Sequence, residues 1–272
     1  MSLVCDPYPL ATREHEGWGR RQVIASAGVA AAAIALAGRG PVAAVPPSPV
    51  LPVQVMPGLF IRPRDWWGAD LPPKGPIEPE SVQFLLVHHT ASPNKYPAGG
   101  ARDVLRETYG WHTSTEKGWP DVCYEFFVDH DGVVYEGRAG ALAGPVRADA
   151  TGGSQGFAQL VCLIGDFTSV DPTPAMVDSL VRVLAWLAER YAVDTAAGAT
   201  TTFVSRGSQK WKAGTVVTTS TIAGHRDMSF TGCPGDHVYA VMGGLREQVH
   251  AQRAMWASGA LWQADRLGPV TP

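Results

Sequence analysis

The sequence predicts a single α/β domain built on a central mixed β-sheet that is flanked by helices. Two short apolar runs, at 84–90 and 158–167, are typical of strands that are buried on both faces. Two longer segments, at 101–112 and 172–193, repeat apolar residues with the spacing of a helix. Because strand-like and helical segments alternate along the chain, a layered α/β arrangement is expected.

The composition agrees with one globular domain that buries a sizeable core. Of the 272 residues, 45% are hydrophobic and 17% are charged. The formal net charge is −3, and no long run of like charges occurs, so the sequence gives no indication of a nucleic-acid partner. The 30 glycines and 22 prolines predict many turns and long loops.

The N-terminal residues 1–44 are predicted to be a signal peptide. Arg20 and Arg21 precede an apolar run from Val23 to Gly38, which is shorter than the roughly 20 residues of a membrane span. Small residues at 42–44 suit cleavage, and the paired arginines favour the twin-arginine route. An uncleaved signal anchor is the alternative. We expect a protein secreted to the cell wall, with no stable membrane association after cleavage.

A Pro-rich linker is predicted at 45–57, followed by the folded domain at 58–254 and a C-terminal tail at 255–272. Within the domain, 121–138 reads as a hairpin that turns at Asp131 and Gly132. The helix at 172–193 is expected to begin with Thr173 as N-cap and Pro174 as its first residue. A polar insertion at 194–218 is predicted to include a small hairpin, and a last helical stretch starts near Asp236.

Alternation along the first buried strand assigns its two histidines to opposite faces of the sheet. Phe84, Leu86 and His88 share one face, and Leu85, Val87 and His89 share the other.

Three potential metal ligands stand out in this scheme. His88 ends a buried strand, while His225 and Cys233 lie eight positions apart in the turn-rich segment 223–236. Imidazole and thiolate are natural zinc ligands, and three protein ligands with an open fourth position are typical of a catalytic zinc site. The spacing alone leaves two alternatives open, a hydrogen-bonded core histidine and an inert buried cysteine.

Several motifs in a fixed order carry a more specific resemblance. They are "RPRDWWGAD", "FLLVHHTAS", "GWPDVCYEFFVDHDGVVYEGR", "LIGDF" and "GHRDMSFTGCPGD". Together they resemble the peptidoglycan recognition proteins, which belong with the zinc-dependent N-acetylmuramoyl-L-alanine amidases found in phage lysins. The resemblance covers residues 60–250 and implies a mixed sheet with a zinc cleft on one face. It also implies that Zn²⁺ is held by His88, His225 and Cys233, and that the substrate is peptidoglycan or a muropeptide.

The same resemblance implies that the bond cut lies between N-acetylmuramic acid and L-Ala, and it suggests two further catalytic residues. Tyr124 takes the place of a hairpin tyrosine whose hydroxyl contacts the zinc-bound water or the developing oxyanion. Thr231 takes a place where relatives carry Lys or Thr near the metal. Without the resemblance, we would interpret Tyr124 as a core residue with a satisfied hydroxyl and Thr231 as a turn residue with no role. Strand alternation predicts that Tyr124 shares a face with Phe126 and Val128, opposite Cys123 and Glu125.

The chain departs from the family pattern at two places. Glu125 follows Tyr124 where many relatives carry His or Asn. The segment 139–156 lacks the Gly-Ala-His that lines the substrate cleft in relatives, and no histidine lies between His130 and His225. A non-catalytic peptidoglycan-binding protein is therefore the alternative function, although the intact ligand set favours an enzyme.

Two further histidines and two cysteines can be interpreted from their positions in the predicted elements. His89 is expected to be structural, and His112 is expected either to pack on its helix or to line the cleft. Cys123 and Cys162 are predicted to be two buried thiols rather than a disulfide, since adjacent sheet positions seldom meet disulfide geometry.

Overall fold

The computed structural model describes residues 50–259, except 98, 153–155 and 209. The predicted signal peptide at 1–44 and the end of the predicted tail, 260–272, lie outside the described residues. No helix in the described part of the chain is long and apolar enough to cross a bilayer.

The central sheet has seven strands in the order β1-β2-β5-β4-β6-β3-β9, and β7 pairs with β8 in a separate hairpin. The strands are β1 (Val53–Met56), β2 (Leu59–Arg62), β3 (Phe84–His89), β4 (Phe126–Val128), β5 (Val134–Glu136), β6 (Ala158–Leu163), β7 (Thr200–Val204), β8 (Val216–Ser220) and β9 (Ile222–Gly224).

Both parallel and antiparallel pairs occur, which confirms the predicted mixed sheet. Strand β3 runs parallel to β6 on one side and to β9 on the other, and β4 runs parallel to β6. The hairpin pairs β1–β2 and β4–β5 are antiparallel. Since β3, β6 and β9 are parallel, the chain leaves all three strands at the same edge of the sheet.

The helices cover both sides of the sheet. They are α1 (Asp65–Gly68), α2 (Ala101–His112), α3 (Pro174–Arg190), α4 (His225–Met228), α5 (Asp236–Ala240) and α6 (Met242–Ala257). The N-cap prediction for α3 is confirmed, because the Thr173 hydroxyl accepts a hydrogen bond from Met176 N at 3.2 Å.

The two faces of the sheet bury separate clusters, as the alternation along β3 predicts. One face, here called the α3 face, packs Leu85 and Val87 against α3 and α6. The other, here called the α2 face, packs Phe84 and Leu86 against α2, which contributes the fully buried Leu105.

Regular structure begins earlier and ends later than the predicted boundaries. Strand β1 lies inside the predicted linker at 45–57, because the Val53–Met56 segment pairs with β2 despite its Pro-rich surroundings. Helix α6 continues to Ala257, beyond the predicted domain end at 254. The small hairpin predicted in the polar insertion is confirmed as β7 and β8.

Candidate active site

The two candidate histidine ligands come from neighbouring parallel strands. In the register between β3 and β9, Val87 lies beside Gly224, so the next residues, His88 and His225, are adjacent at the same sheet edge. Their ring centroids are 4.3 Å apart. His225 is also the first residue of α4, which fixes its backbone direction. The strand register therefore brings together two side chains that are 137 positions apart in the sequence.

Cys233 reaches the same place through the loop that follows α4. Its carbonyl accepts a hydrogen bond from Arg226 N at 2.9 Å, which ties the end of the loop to the start of α4. The Cys233 Sγ lies 3.6 Å from His88 Nδ1 and accepts a hydrogen bond from His89 N at 3.4 Å. The Thr231 hydroxyl accepts a hydrogen bond from Cys233 N at 3.2 Å.

The donor set fits a zinc ion. One ligand atom from each of His88, His225 and Cys233 lies within 4.8 Å of the others, and all three residues are buried. Tetrahedral zinc with bonds of about 2.0–2.1 Å to nitrogen and about 2.3 Å to sulfur separates its ligand atoms by about 3.3–3.6 Å. The observed Sγ to Nδ1 distance matches this separation, and two imidazoles with one thiolate are the ligand types zinc prefers.

Asp227 and Tyr239, which the sequence did not indicate as functional, hold the start of α4 and the loop that leads to Cys233. Asp227 Oδ2 accepts a hydrogen bond from Gly224 N at 2.8 Å, and Tyr239 donates its hydroxyl proton to Asp227 Oδ1. Arg226 forms an ion pair with Asp236, with 2.8 Å between Nη1 and Oδ1. An aspartate at the third position of a helix that begins right after a strand is the sequence signal that could have indicated this bracing.

Tyr124 lies beside the histidines, although not in the way that alternation predicts. Its ring centroid is 5.0 Å from that of His88. Tyr124 and Cys123 both pack on the α2 face, whereas Phe126 and Val128 pack on the α3 face, so the predicted grouping with Phe126 and Val128 is wrong.

The backbone conformation before β4 explains why Tyr124 lies on the α2 face. Strand β4 begins only at Phe126, and the preceding residues are held by Arg138 N, which donates to Tyr124 O at 2.9 Å. Gly137 permits this close approach, because a Cβ atom at that position would lie 2.5 Å from Tyr124 O. The strict alternation of a strand does not extend into such irregular backbone.

Glu125 is directed to β6 and takes no part in the cluster. Its Oε2 accepts a hydrogen bond from Leu160 N at 2.7 Å, and the side chain is fully buried. Burial raises the pKa of Glu125 to about 8, so its carboxyl group is mostly neutral at neutral pH. The substitution at this family position therefore places a buried acid behind the site rather than a replacement group inside it.

His112 connects the cluster to the end of α2. It is buried, its Nδ1 accepts a hydrogen bond from Cys123 N at 3.1 Å, and its ring lies 5.6 Å from that of Tyr124. The ring also contacts Trp119 edge-on at 4.9 Å. Trp119 in turn lines a cavity of about 490 Å³, together with Lys74, Thr113, Arg147 and neighbouring residues. His112 is thus both packed and close to the site.

The structure agrees with the predictions for His89, Cys123 and Cys162. His89 braces the loop after β6, since its Nδ1 accepts a hydrogen bond from Phe167 N at 3.3 Å. Cys123 and Cys162 are buried and form no disulfide, which confirms that prediction.

Residues 78–236, more than half of the chain, match the model of a family described as N-acetylmuramoyl-L-alanine amidase. The chain belongs to this amidase family. All three candidate metal ligands lie inside the matched range.

Two proteins described as N-acetylmuramoyl-L-alanine amidase, from Sus scrofa and Homo sapiens, are each 31% identical to this chain. Each match covers 67% of this chain but 26% and 27% of those relatives, so the chain spans about a quarter of their length. The peptidoglycan-recognition protein LB of Drosophila melanogaster is 25% identical over 178 residues, which is 65% of either chain.

Two solved structures from Drosophila share the fold. The peptidoglycan recognition protein SD superimposes with a TM-score of 0.51 at 20% identity, over 67% of this chain and 92% of that one. The peptidoglycan recognition protein LB gives a TM-score of 0.51 at 23% identity, over 67% and 91%. The family and the mixed-sheet fold predicted from the sequence are both confirmed.

Proposed function

We propose that this amidase-family protein is a secreted, zinc-dependent enzyme that hydrolyses the amide bond between N-acetylmuramic acid and L-Ala in peptidoglycan. The observation that carries the proposal is the convergence of His88, His225 and Cys233 within 4.8 Å. A fourth protein ligand would favour a purely structural ion, whereas three ligands suit a catalytic one.

Zinc bound by these residues would supply Lewis acidity toward the scissile carbonyl group and lower the pKa of a water molecule. The protein's own contribution is to hold two imidazole rings and one cysteine sulfur close together in a buried arrangement. His89 N, by donating to Cys233 Sγ, favours the thiolate form of the cysteine.

Tyr124 is assigned as the oxyanion donor. Its ring lies against that of His88, which places the side chain at the edge of the ligand cluster. A hydroxyl donor aimed at developing negative charge in a largely buried site lowers the barrier, and such donors are worth about 2.7–4 kcal/mol in other enzymes.

Thr231 is assigned as a second polar contact to the substrate. Its oxygen accepts from Cys233 N, which leaves its own O–H free to donate to a carbonyl group of the substrate. The residue thereby fixes the Cys233 backbone and offers a donor near the metal ligands.

The surroundings suit a glycopeptide substrate. The cavity of about 490 Å³ beyond His112 combines the Trp119 ring with the basic side chains of Lys74 and Arg147, and its size is in the usual range for small-molecule sites. A related structure supports this substrate class, since a point mutant of Drosophila peptidoglycan recognition protein LB has been solved in complex with tracheal cytotoxin. Export directed by the predicted signal peptide at 1–44 would deliver the enzyme to the cell wall.

A non-catalytic peptidoglycan-binding protein is the second candidate. It is favoured by the segment 139–156, which contains no histidine where relatives place one in the cleft. Glu125 does not compensate, because its carboxyl group contacts β6 instead. The intact ligand cluster is the argument against this alternative.

The test is to incubate the purified protein with peptidoglycan and to measure newly exposed N-terminal L-Ala. The proposal predicts release that stops with a zinc chelator and returns when zinc is added. Saturable binding of muropeptide with no release under zinc-replete conditions would establish the binding protein instead.

A further inference from the structure

We propose that Lys210, in the β7–β8 hairpin, is a positioning residue for the metal centre because it fixes helix α4, which carries His225. The inference rests on the proposed function in one respect, namely that the cluster binds zinc. It assigns a role to the polar insertion between α3 and β9, which the proposed reaction does not otherwise use.

Lys210 bonds directly to the backbone of α4. Its Nζ donates to Asp227 O at 2.7 Å and to Arg226 O at 3.1 Å. These are the two residues that follow His225. The last carbonyl groups of any helix lack partners within the helix, and a lysine near the C-terminus is one way to satisfy them. In this four-residue helix, His225 O already accepts from Ser229 N at 3.0 Å, and Lys210 supplies donors for the next two carbonyls.

The hairpin turn that presents Lys210 is held by its own hydrogen bonds. The Ser208 hydroxyl accepts from Lys210 N and from Trp211 N, both at 3.1 Å. Ser208 N donates back to Trp211 O at 2.8 Å. The Lys210 ammonium group also lies 5.0 Å from the centre of the Trp211 ring. These contacts restrict the lysine side chain before it reaches α4.

The base of the hairpin is anchored on the domain. Phe203 of β7 stacks on Phe84 of β3, with ring centroids 5.5 Å apart. Just beyond β7, Arg206 forms an ion pair with Glu80, with 3.1 Å between Nη1 and Oε2. The hairpin therefore connects strand β3, which carries His88, with the helix that carries His225.

A displacement of α4 would affect two of the three ligands. His225 begins the helix, and Arg226 N holds Cys233 O. Metal sites require their ligands within about 0.5 Å of the productive geometry, so supporting contacts of this kind decide affinity. Removing the ammonium group would leave two carbonyl groups without these donors and release the helix from the hairpin.

The experiment compares three variants of the full protein by zinc competition with a chromophoric chelator. Lys210→Met keeps the length of the side chain but removes its donors, and we expect zinc affinity to fall about tenfold or more. Lys212→Met is the matched control, because Lys212 is exposed in the same turn and should bind zinc like the wild type. Lys210→Arg retains paired N–H donors and should stay within about threefold of the wild type.

The readouts separate this inference from the proposed function. Wild-type zinc affinity in Lys210→Met, or equal weakening in Lys210→Met and Lys210→Arg, would overturn the positioning role. A wild-type protein that binds no zinc would instead refute the proposed function. Absorption spectra of the cobalt-substituted proteins provide a second test, since a displaced His225 should alter the d–d bands in Lys210→Met and leave them unchanged in Lys212→Met.

Discussion

The two faces of the central sheet differ most clearly at neighbouring residues of β3. Val87 packs on the α3 face among aliphatic side chains from α3 and α6. His88, the next residue, lies on the opposite side, next to Tyr124 and His225. Burial of apolar surface contributes about 25 cal/mol per Å², whereas buried polar groups cost free energy unless they are paired or bind a metal. Both faces thus bury an apolar core that contributes stability, and the α2 face carries in addition the buried polar cluster of His88, His225 and Cys233.

This contrast predicts that substitutions of the candidate zinc ligands abolish activity without unfolding the domain. Cys233→Ser should have the largest effect, because a serine hydroxyl stays protonated at neutral pH and is a poor zinc ligand. Amide cleavage should fall to background, while muropeptide binding stays within about tenfold, or roughly 1.4 kcal/mol. Calorimetric titration together with an amine-release assay measures both quantities.

Cys162→Ala is the control for this variant. Cys162 is also buried and outside any disulfide, and it lies beside His88 in the register between β3 and β6, but it is not one of the clustered ligands. Its replacement should preserve cleavage. If Cys233→Ser cleaves at the parent rate, Cys233 is not a catalytic ligand.

Tyr124→Phe is expected to have the next largest effect. Loss of the hydroxyl donor should lower kcat about 10²–10³-fold, with zinc content unchanged. Tyr109→Phe is the matched control, since Tyr109 also belongs to the α2 face but donates its hydroxyl proton to Pro72 O at 2.7 Å. The control should lose only about 1 kcal/mol of stability. An unchanged rate in Tyr124→Phe would make Tyr124 a core residue and leave the oxyanion donor unassigned.

Glu125→Gln should have the smallest effect on activity and a measurable effect on stability. Burial raises the pKa of Glu125 from 4.5 to about 8 in the folded protein. Between these pH values the unfolded chain releases a proton that the folded chain retains, so this group lowers the free energy of unfolding as pH rises. Glutamine has no such titration.

Denaturant unfolding near pH 4.5 and near pH 8 tests this prediction. Relative to the wild type, Glu125→Gln should gain stability at the higher pH and change little at the lower one, with kcat within about twofold at pH 7. A stability difference that does not depend on pH would contradict the raised pKa.

The sequence predicted those parts of the molecule that follow a regular period. The alternation of β3 placed His88 and His89 on opposite faces, and the helical spacing at 101–112 coincides with α2. The face of Tyr124 was predicted wrongly, because the pairing around Gly137 interrupts the strand. The contact from Lys210 to α4 could not be predicted, since it joins an insertion to a backbone carbonyl through the tertiary fold.

The zinc content of the purified protein tests the central claim most directly. After loading with zinc and removal of excess metal, elemental analysis should give one zinc per chain for the wild type and far less for Cys233→Ser. Hydrolysis should follow the zinc content, and the chelated protein should keep most of its secondary structure because the α3 face does not depend on the metal. Substoichiometric zinc in the loaded wild type, or equal zinc in the two proteins, would contradict the metal centre described here.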